Sequence, residues 1–250
     1  MALLIAAALF LAGASAPGWI DQPKLVAASN MLIEADLLYI TRDEDAHFAH
    51  CGTLLDAIER NHPEARAEVL WRRARMEKWS GDEAKTNDEK LRYYERAEAL
   101  AKQAIEADGK CAECHFWLGV AYGKIGQTRG VLQSLFLVRP ILDEMDTVLA
   151  LDPKHSGAHH VRGVVYRLVP WFAGGSMEKS IEELQLAIQL NAASTISYVE
   201  LAKSYAEIGD KAKGLATLDA LDQVTAPFDP TQAKQDHQHA AELRQELTRS

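Results

Sequence analysis

The sequence predicts an all-α protein in which antiparallel helix pairs stack into a solenoid. Ala, Leu, Glu, Lys and Arg abound in this chain of 250 residues, which holds only 15 Gly and 8 Pro, and that composition favours helix. Apolar residues recur at helical spacing from Lys24 onward, and no segment alternates as a half-buried strand would. Finally, one pattern of small, ring-bearing and glycine positions occurs three times along the chain.

Residues 1–16 (MALLIAAALFLAGASA) form an uncharged apolar run that ends in the small-x-small pattern Ala14-Ser15-Ala16. The run is short for a membrane span, so a cleaved signal peptide is predicted, followed by a single helical-repeat domain at 17–250. The expected location is therefore periplasmic or extracellular, in a bacterium. No Lys or Arg precedes the apolar residues and Pro17 would follow the cut, so an uncleaved membrane anchor and an apolar first helix remain alternatives.

The N-terminal part of the domain, 17–84, is expected to hold helices that precede the repeats. Asp43 is placed to cap the second of them, and Ser80 to Asp88 (SGDEAKTND) reads as a polar loop. A repeat region is expected at 85–224 and a capping helix at 230–250, whose polar outer face would keep a solenoid soluble. The helices expected before the repeated pattern are 24–40, 44–60, 63–79 and 89–107.

The repeated pattern becomes visible when the chain is aligned on three tyrosines, Tyr122, Tyr166 and Tyr205. A small helix-packing residue, a ring and a Gly or Ala stand at constant distances before each tyrosine. The three sets are Cys114, His115 and Gly119; Ala158, His159 and Gly163; Ser197, Tyr198 and Ala202. Small residues let two helix backbones approach and rings fill the remaining gaps, so each unit is predicted to be one antiparallel helix pair.

This pattern resembles the tetratricopeptide repeat over about residues 71–221, which implies a right-handed tetratricopeptide-like solenoid. The units here are longer than the usual repeat of about 34 residues. Thr128 to Val138 is expected to add about three turns of helix before Pro140, which should kink or restart it. Phe172 to Ser176 lengthens a second connection.

Three strings narrow the resemblance to particular families. Glu68 to Arg75 (EVLWRRAR), together with His115-Phe116-Trp117, resembles the regulators of microtubule dynamics, which are tetratricopeptide proteins. Pro170 to Gly175 (PWFAGG) is similar to the T-component proteins of bacterial tripartite ATP-independent periplasmic transporters. Those relatives are often lipoproteins, and this chain departs from them because no cysteine follows its apolar N-terminal run.

Cys111-Ala112-Glu113-Cys114-His115 spells CxxCH, the sequence form of a c-type haem attachment site. The repeat alignment instead assigns Cys114 and His115 to the packing between two helices, where no haem-sized cavity is expected. We therefore predict no cofactor and keep haem c at Cys111, Cys114 and His115 as the alternative, with His155, His159 or His160 available as the second axial ligand. A disulfide between Cys111 and Cys114 is also open if the protein is exported.

The sequence gives little support to nucleic-acid binding, to catalysis or to a metal site. The net charge of −9 comes without a basic stripe, so nucleic acid is not an expected partner. No glycine-rich phosphate loop, GxSxG or HExxH is present, and we predict that the protein is not an enzyme. The pairs His47/His50 and His155/His159 lack further ligands at motif spacing, so no metal site is predicted.

Binding in the concave groove of the solenoid is the remaining prediction. The groove-facing positions are expected one and five residues after each ring position, with others one turn further on. They are Phe116, Val120, Lys124, His160, Val164, Arg167, Leu168, Val199 and Lys203. This set predicts a mostly apolar groove suited to an amphipathic peptide or a hydrophobic small ligand. Alternatively, the same residues pack against an extra helix at 128–138 or against the C-terminal helix from Thr231 to Arg249.

Three functional hypotheses follow. The first is an exported helical-repeat scaffold that binds a protein or peptide partner in its groove, with the membrane involved only through an uncleaved N-terminus. The second is a periplasmic ligand-binding accessory of a transporter. The third is a c-type cytochrome that uses the CxxCH string.

Overall fold

The computed structural model describes residues 22–249, and this part of the chain is helical throughout, without a strand. The predicted signal peptide at 1–16 lies outside the described residues. Between residues 22 and 249, no helix has both the length and the apolar content to cross a membrane. The helices are α1 (Gln22–Ile40), α2 (His47–Asn61), α3 (Arg66–Glu83), α4 (Asn87–Ala107), α5 (Ala112–Arg129), α6 (Val131–Leu151), α7 (Ser156–Leu168), α8 (Met177–Leu190), α9 (Thr195–Glu207), α10 (Lys211–Leu221) and α11 (Pro230–Arg249).

Consecutive helices pack as five pairs, α1/α2, α3/α4, α5/α6, α7/α8 and α9/α10. The first helices of neighbouring pairs, here called the inner helices, also contact one another in the order α1, α3, α5, α7, α9. Within the described chain, α4, α6 and α8 make no comparable contacts among themselves, so the array curves toward its inner helices. The predicted helix-pair solenoid is therefore confirmed, and its concave face is formed by α3, α5, α7 and α9.

The glycine positions lie in the seam between the two helices of a pair, as the repeat pattern predicts, whereas the small positions pack on the preceding pair: Cys114 on α3 and α4, and Ala158 on α6. Cys114, Ala158 and Ser197, the three small positions, are at most 1% exposed. A methyl group added at Gly163 would lie 2.6 Å from Cγ of the fully buried Leu184 on the partner helix. Only glycine lets the α7 and α8 backbones approach so closely.

Two of the three ring positions connect the two helices of their pair by hydrogen bonds. His115 Nδ1 lies 2.6 Å from a carboxylate oxygen of Glu144 on α6, and His159 Nδ1 lies 2.7 Å from Glu183 on α8. The third ring, Tyr198, donates its hydroxyl to the Ala192 carbonyl at 3.1 Å. Two successive repeats thus use the same histidine–glutamate contact across their seams.

Residues 80–88 are not a loop, which corrects the sequence prediction. Helix α3 continues to Glu83, because Gly81 lies against the ring of Tyr94 and Asp82 accepts the Tyr94 hydroxyl at 2.8 Å. The connection to α4 is only residues 84–86, and Thr86 begins α4 with a capping box to Glu89. Since α3 pairs with α4, the division drawn at residue 84 falls between the two helices of one pair.

The surplus residues 128–138 do not form an extra helix. Helix α5 ends at Arg129, Gly130 turns the chain with φ 95°, and α6 starts at Val131, so the added length extends both helices of one pair. Pro140 neither breaks nor restarts α6. The carbonyl that loses its helical partner belongs to Phe136, an exposed position that water can reach.

The connection after α7 carries the PWFAGG string. It contains a short 3₁₀ turn at Trp171–Ala173, and Gly174 leaves that turn with φ 100°. Gly175 lies so close to the Val169 carbonyl that no side chain would fit. Trp171 and Phe172 are exposed and contact each other edge to face.

The last helix contacts the segment that follows α1, which the sequence did not predict. Helix α11 packs on α9 and α10 and reaches α1. Arg42, whose side chain is 1% exposed, forms a 2.8 Å ion pair with Asp229 at the start of α11. Asp43 accepts the hydroxyl of Thr231 at 2.5 Å and pairs with Lys234, so Asp43 does not cap α2 as predicted. Helix α2 is instead preceded by Ala46 with φ 63°.

Candidate functional site

The predicted groove residues come from three neighbouring inner helices, which the fold brings side by side. Helix α5 carries Phe116, Val120 and Lys124; α7 carries His160, Val164, Arg167 and Leu168; α9 carries Val199 and Lys203. Their surroundings differ so much that they do not form one uniform apolar surface.

Phe116 and Val199 are packing residues, and their expected place in an open groove is corrected. The Phe116 ring lies 4.8 Å from that of His155 and directly against Gly157 at the start of α7. Val199 is 2% exposed and belongs to a core cluster with residues of α10 and α11. The alternative that some groove positions pack against the C-terminal helix therefore holds for Val199. Leu168, by contrast, is exposed at the end of α7.

Asp82 of α3 organises one end of the concave face. Its carboxylate accepts from Lys78 at 2.7 Å, from Lys124 of α5 at 2.8 Å and from the Tyr94 hydroxyl at 2.8 Å. We call Lys78, Asp82 and Lys124 the α3–α5 triad. Sequence reasoning missed Asp82 because it assigned this residue to a loop; the helical spacing of Trp71, Lys78 and Asp82 was the available signal.

The charges of the α3–α5 triad shift one another's pKa. Burial alone would raise the pKa of Asp82, but the attraction of Lys78 and Lys124 prevails and lowers it to about 2. Burial lowers the pKa of Lys124, and the like charge of Lys78 adds to this effect, against the attraction of Asp82. Two cations thus compete for one carboxylate whose oxygens are already engaged.

A second charged group, the α7–α9 triad, consists of Arg167, Glu200 and Lys203. Glu200 pairs with Arg167 and accepts from Lys203 at 2.7 Å. Arg167 also reaches Glu207 at 2.7 Å at the rim. Burial by itself raises the pKa of Glu200, but Arg167 and Lys203 outweigh it and lower that pKa. Here too one carboxylate is shared by two cations.

His160 stands between the two triads. Its Nδ1 lies 3.1 Å from the Ser197 hydroxyl. Burial is the largest influence on its ring and lowers its pKa to about 4; the charges of Arg167, Lys203 and Lys78 act in the same direction, and Glu200 opposes them. His160 is therefore neutral at pH 7.

A stack of arginines and aromatic rings continues the charged face toward α1. Asp36 of α1 accepts from Arg72 at 2.7 Å and from Arg75 at 2.6 Å. The guanidinium carbons lie 3.9 to 5.1 Å from the ring centroids they stack on. In order, the stack is Trp79, Arg42, Tyr39, Arg75, Trp71 and Arg72. This arrangement gives the EVLWRRAR string a structural role at the interface of α1 and α3.

The concave face is therefore largely charged, and the predicted mostly apolar groove is wrong in its polarity. Val120 and Val164, both half-buried, remain as an apolar strip on α5 and α7, the helices that also carry Lys124 and Arg167 of the two triads. The prediction failed because it considered α5, α7 and α9 alone, whereas α3 contributes charges of its own. Lys124, expected at the far end, turns back to Asp82.

A polar cavity of about 280 Å³ opens beside the α3–α5 triad. It lies where the end of α3, the start of α4 and the end of α5 meet. Its lining residues are all polar or charged, apart from the ring of Tyr94: Asp82, Asn87, Lys90, Tyr94, Lys124, Gln127 and Thr128. This cavity does not suit the hydrophobic small ligand that the sequence left open.

The CxxCH string forms the start of α5. Cys111 and Cys114 are joined by a disulfide, and the Cys111 sulfur accepts the Cys114 backbone N–H at 3.1 Å as the helix cap. Cys114 is fully buried among residues of α3 and α4, while His115 contacts Glu144 and the Gly109 carbonyl. Covalent attachment of haem converts two free thiols, beside a large apolar cavity, into thioethers. These two cysteines are joined to each other and Cys114 is packed between helices, so they do not fit that requirement.

Histidines of the other two predicted pairs also have protein partners. His155 accepts the Ala158 N–H at 3.0 Å as the cap of α7, and its Nε2 lies 3.1 Å from Glu113. His47 lies 2.8 Å from the Thr41 hydroxyl. Across residues 22–249, no three or more His, Cys, Asp or Glu side chains converge in a way that would hold a metal ion.

Comparison with solved structures supports the fold. The tetratricopeptide protein TTC0263 from Thermus thermophilus has a TM-score of 0.61 at 18% identity, covering 88% of this chain and 97% of that one. MamA from Desulfovibrio magneticus RS-1 has a TM-score of 0.48 at 16% identity over 80% and 94% of the two chains. YrrB, described as a tetratricopeptide protein with an unusual peptide-binding site, has a TM-score of 0.45 at 13% identity over 89% and 97%. The first likeness shows the fold alone, and the other two are too distant to add to it.

No curated protein sequence matches the chain. The sequence profile of the family described as regulator of microtubule dynamics protein 1-3 matches residues 31–169, more than half of the 250 residues. That match includes α3, α5 and the α3–α5 triad. The similarity of the PWFAGG string to transporter T-component proteins is not tested by these comparisons. The chain thus has a tetratricopeptide-like helical-repeat fold and belongs to the regulator of microtubule dynamics protein 1-3 family.

Proposed function

We propose that the protein is a non-enzymatic scaffold that binds a segment of a partner protein along its concave face. The observation that carries this proposal is the arrangement of the two triads around the apolar strip. Lys124 and Lys203 keep 31% and 36% of their side chains exposed, and Val120 and Val164 are half-buried on the neighbouring inner helices α5 and α7. Charged groups beside a narrow apolar strip suit a peptide with side chains of both kinds.

A protein segment fits this face better than a hydrophobic small ligand does. The apolar strip is only two valines wide, and the adjoining cavity is polar. The inner helices also present their side chains in a row, one helix after another, which suits an elongated ligand.

A peptide-selection experiment tests the proposal. A random library of 12-residue peptides is panned against the intact protein, and the affinity of the selected peptides is measured by fluorescence anisotropy. In the double variant Val120→Gln, Val164→Gln we expect at least a tenfold loss of affinity. The matched control is Leu151→Gln, which changes a residue that is 39% exposed on the outer helix α6.

The control variant should bind like the wild type, and circular dichroism should show the same helix content in all three proteins. Equal binding by the double variant would mean that the ligand does not use the concave face. Failure to select any peptide would remove the support for peptide binding.

We also propose that the protein is exported. The apolar run at 1–16 supports this, and so does the Cys111–Cys114 disulfide, because disulfides persist in oxidising compartments. Fractionation of bacteria that express the full chain, followed by intact-mass measurement, tests it. Periplasmic protein lacking residues 1–16 is the expected result; cytoplasmic protein of full mass would contradict export.

A further inference from the structure

The polar cavity beside Asp82 has more donors than its single carboxylate can satisfy. Lys90 and Lys124 both line it, together with the amides of Asn87 and Gln127. Asp82 is the one acidic residue among the described residues of the lining, and its two oxygens already accept from Lys78, Lys124 and Tyr94. The lining therefore carries a positive charge that Asp82 does not neutralise, in a chain whose net charge is −9.

The electrostatics around Lys124 support the same conclusion. Burial lowers the pKa of Lys124, and Lys78 adds repulsion to it. A second carboxylate in the cavity would relieve this repulsion and stabilise the ammonium group. The side chain of Lys124 is about one-third exposed, so an incoming group can reach it.

Helix α5 carries both Lys124 of the cavity and Val120 of the apolar strip. Val120 lies one helical turn before Lys124, a distance of roughly 6 Å along the helix axis. Residues i and i+2 of an extended peptide are separated by roughly 7 Å and point to the same side. An extended peptide on this face can therefore place one side chain in the cavity and the next but one against Val120.

We propose that the cavity is a carboxylate-binding site for the partner segment, which carries an apolar residue two positions from its acidic group. This inference rests on the concave face being the binding surface, and it adds the chemical class of the bound segment. The carboxylate lies between Lys90 and Lys124, where Asn87 and Gln127 offer amide donors. The apolar side chain packs on the strip of Val120 and Val164.

The volume of the cavity, about 280 Å³, accommodates a glutamate side chain or the last residue of a peptide. A C-terminal carboxylate and a glutamate share the same chemistry, so both are included in the test. The negatively charged surface of a lipid bilayer is a different partner, and it fits less well because Lys90 and Lys124 line a recessed cavity rather than a projecting surface.

The test uses three synthetic eight-residue peptides, each with a leucine two positions from the residue in question. The first peptide has an internal glutamate and an amidated C-terminus. The second has glutamine instead of that glutamate and is also amidated. The third has the same glutamine but a free C-terminal carboxylate, which lies two positions from the leucine. Binding to the full chain is measured by isothermal titration calorimetry and by NMR shift changes up to millimolar concentration. Vesicles with and without anionic lipid are tested by co-sedimentation.

We expect the glutamate peptide to bind at least ten times more tightly than the glutamine peptide with an amidated end, and its affinity to fall as salt increases. Lys90→Met and Lys124→Met should each remove most of this preference. Lys102→Met is the matched control on α4, because Lys102 is paired with Glu98 outside the cavity, and it should leave the preference unchanged. Tight binding by the third peptide would identify a C-terminal carboxylate as the natural group.

Equal affinity for all three peptides, or binding by none of them, would overturn the carboxylate site. So would tight binding to anionic vesicles that Lys90→Met and Lys124→Met abolish. If the carboxylate site is wrong but the concave face is still the binding surface, peptides selected from the random library will bind the concave face without acidic residues. That result would separate the failure of this inference from the failure of the proposed function. Circular dichroism and thermal unfolding of Lys90→Met, compared with the wild type, separate a lost preference from a loss of folding.

Discussion

The helix seams and the concave face are built on opposite principles. At the seams, glycines bring the two helices of one pair together, and Gly119 and Gly163 occupy equivalent places in successive repeats. On the concave face, ion pairs join residues of different repeats, such as Asp82 of α3 with Lys124 of α5. The seams specify the fold, whereas the concave face leaves side chains available to a partner.

This contrast explains why the CxxCH string is a structural feature in this protein. Cys114 and His115 follow the seam pattern, and their partners lie within α3, α4 and α6. The candidate binding groups lie on the other side of the same helix, at Val120 and Lys124.

The largest expected effect comes from a change at a seam glycine. Gly163→Ala should lower the free energy of unfolding by about 1–3 kcal/mol, because the new methyl group would overlap the fully buried Leu184. Gly123→Ala is the matched control, since Gly123 lies in the interior of α5 with no atom within 4 Å of the added methyl group. There alanine should stabilise the helix by about 0.5–1 kcal/mol.

Urea titration of the two glycine variants measures both changes. Similar, small effects for the two variants would show that α7 and α8 are less closely packed than the structure indicates.

The concave face should account for a loss of stability in acid. The pKa of Asp82 is lowered from its ordinary value of 3.8 to about 2, so its ion pairs stabilise the fold fully above about pH 4. That stabilisation, on the order of 2 kcal/mol, should disappear as the pH falls through 2. The pKa of His160 is lowered from 6.5 to about 4. Folding stability should therefore also fall between pH 6.5 and pH 4, because the unfolded chain binds the proton at a higher pH than the folded chain does.

Thermal unfolding between pH 7 and pH 2 measures this dependence. Asp82→Asn should flatten the lower part of the curve and His160→Gln the upper part. If both variants lose stability with falling pH just as the wild type does, the shifted pKa values of Asp82 and His160 do not contribute to the acid sensitivity of the protein.

The last prediction concerns the number of reactive thiols and involves no change in stability. Under denaturing conditions without reductant, we expect one thiol per chain to react with Ellman's reagent, from Cys51, and three after reduction. Three thiols before reduction would exclude the disulfide. A visible absorption band near 400 nm that survives denaturation would instead support covalent haem.

Sequence patterns predicted the seams well and the concave face poorly. The seam positions recur at fixed distances from Tyr122, Tyr166 and Tyr205, so a single chain displays them by self-alignment. The ion pairs of the concave face have no such period. Asp82 and Lys124 are distant in the sequence, and their contact depends on α3 continuing past Gly81 onto the ring of Tyr94.

The contact between the segment after α1 and the start of α11 could not be predicted from the sequence patterns either. Arg42 and Asp229 are separated by 187 residues, and each lies in a segment that reads as a turn or a cap. Val199 was misplaced for a related reason: its position in the repeat pattern is groove-facing, but α11 covers it. Added helices change the surroundings of a repeat position without changing the pattern itself.

The central claim, that the concave face is the functional surface, is tested most directly by valine-methyl NMR with a peptide from the library selection. We expect the methyl signals of Val120 and Val164 to shift on binding, while those of Val69 and Val148, both fully buried, stay in place. Shifts confined to residues outside α3, α5, α7 and α9 would contradict the claim.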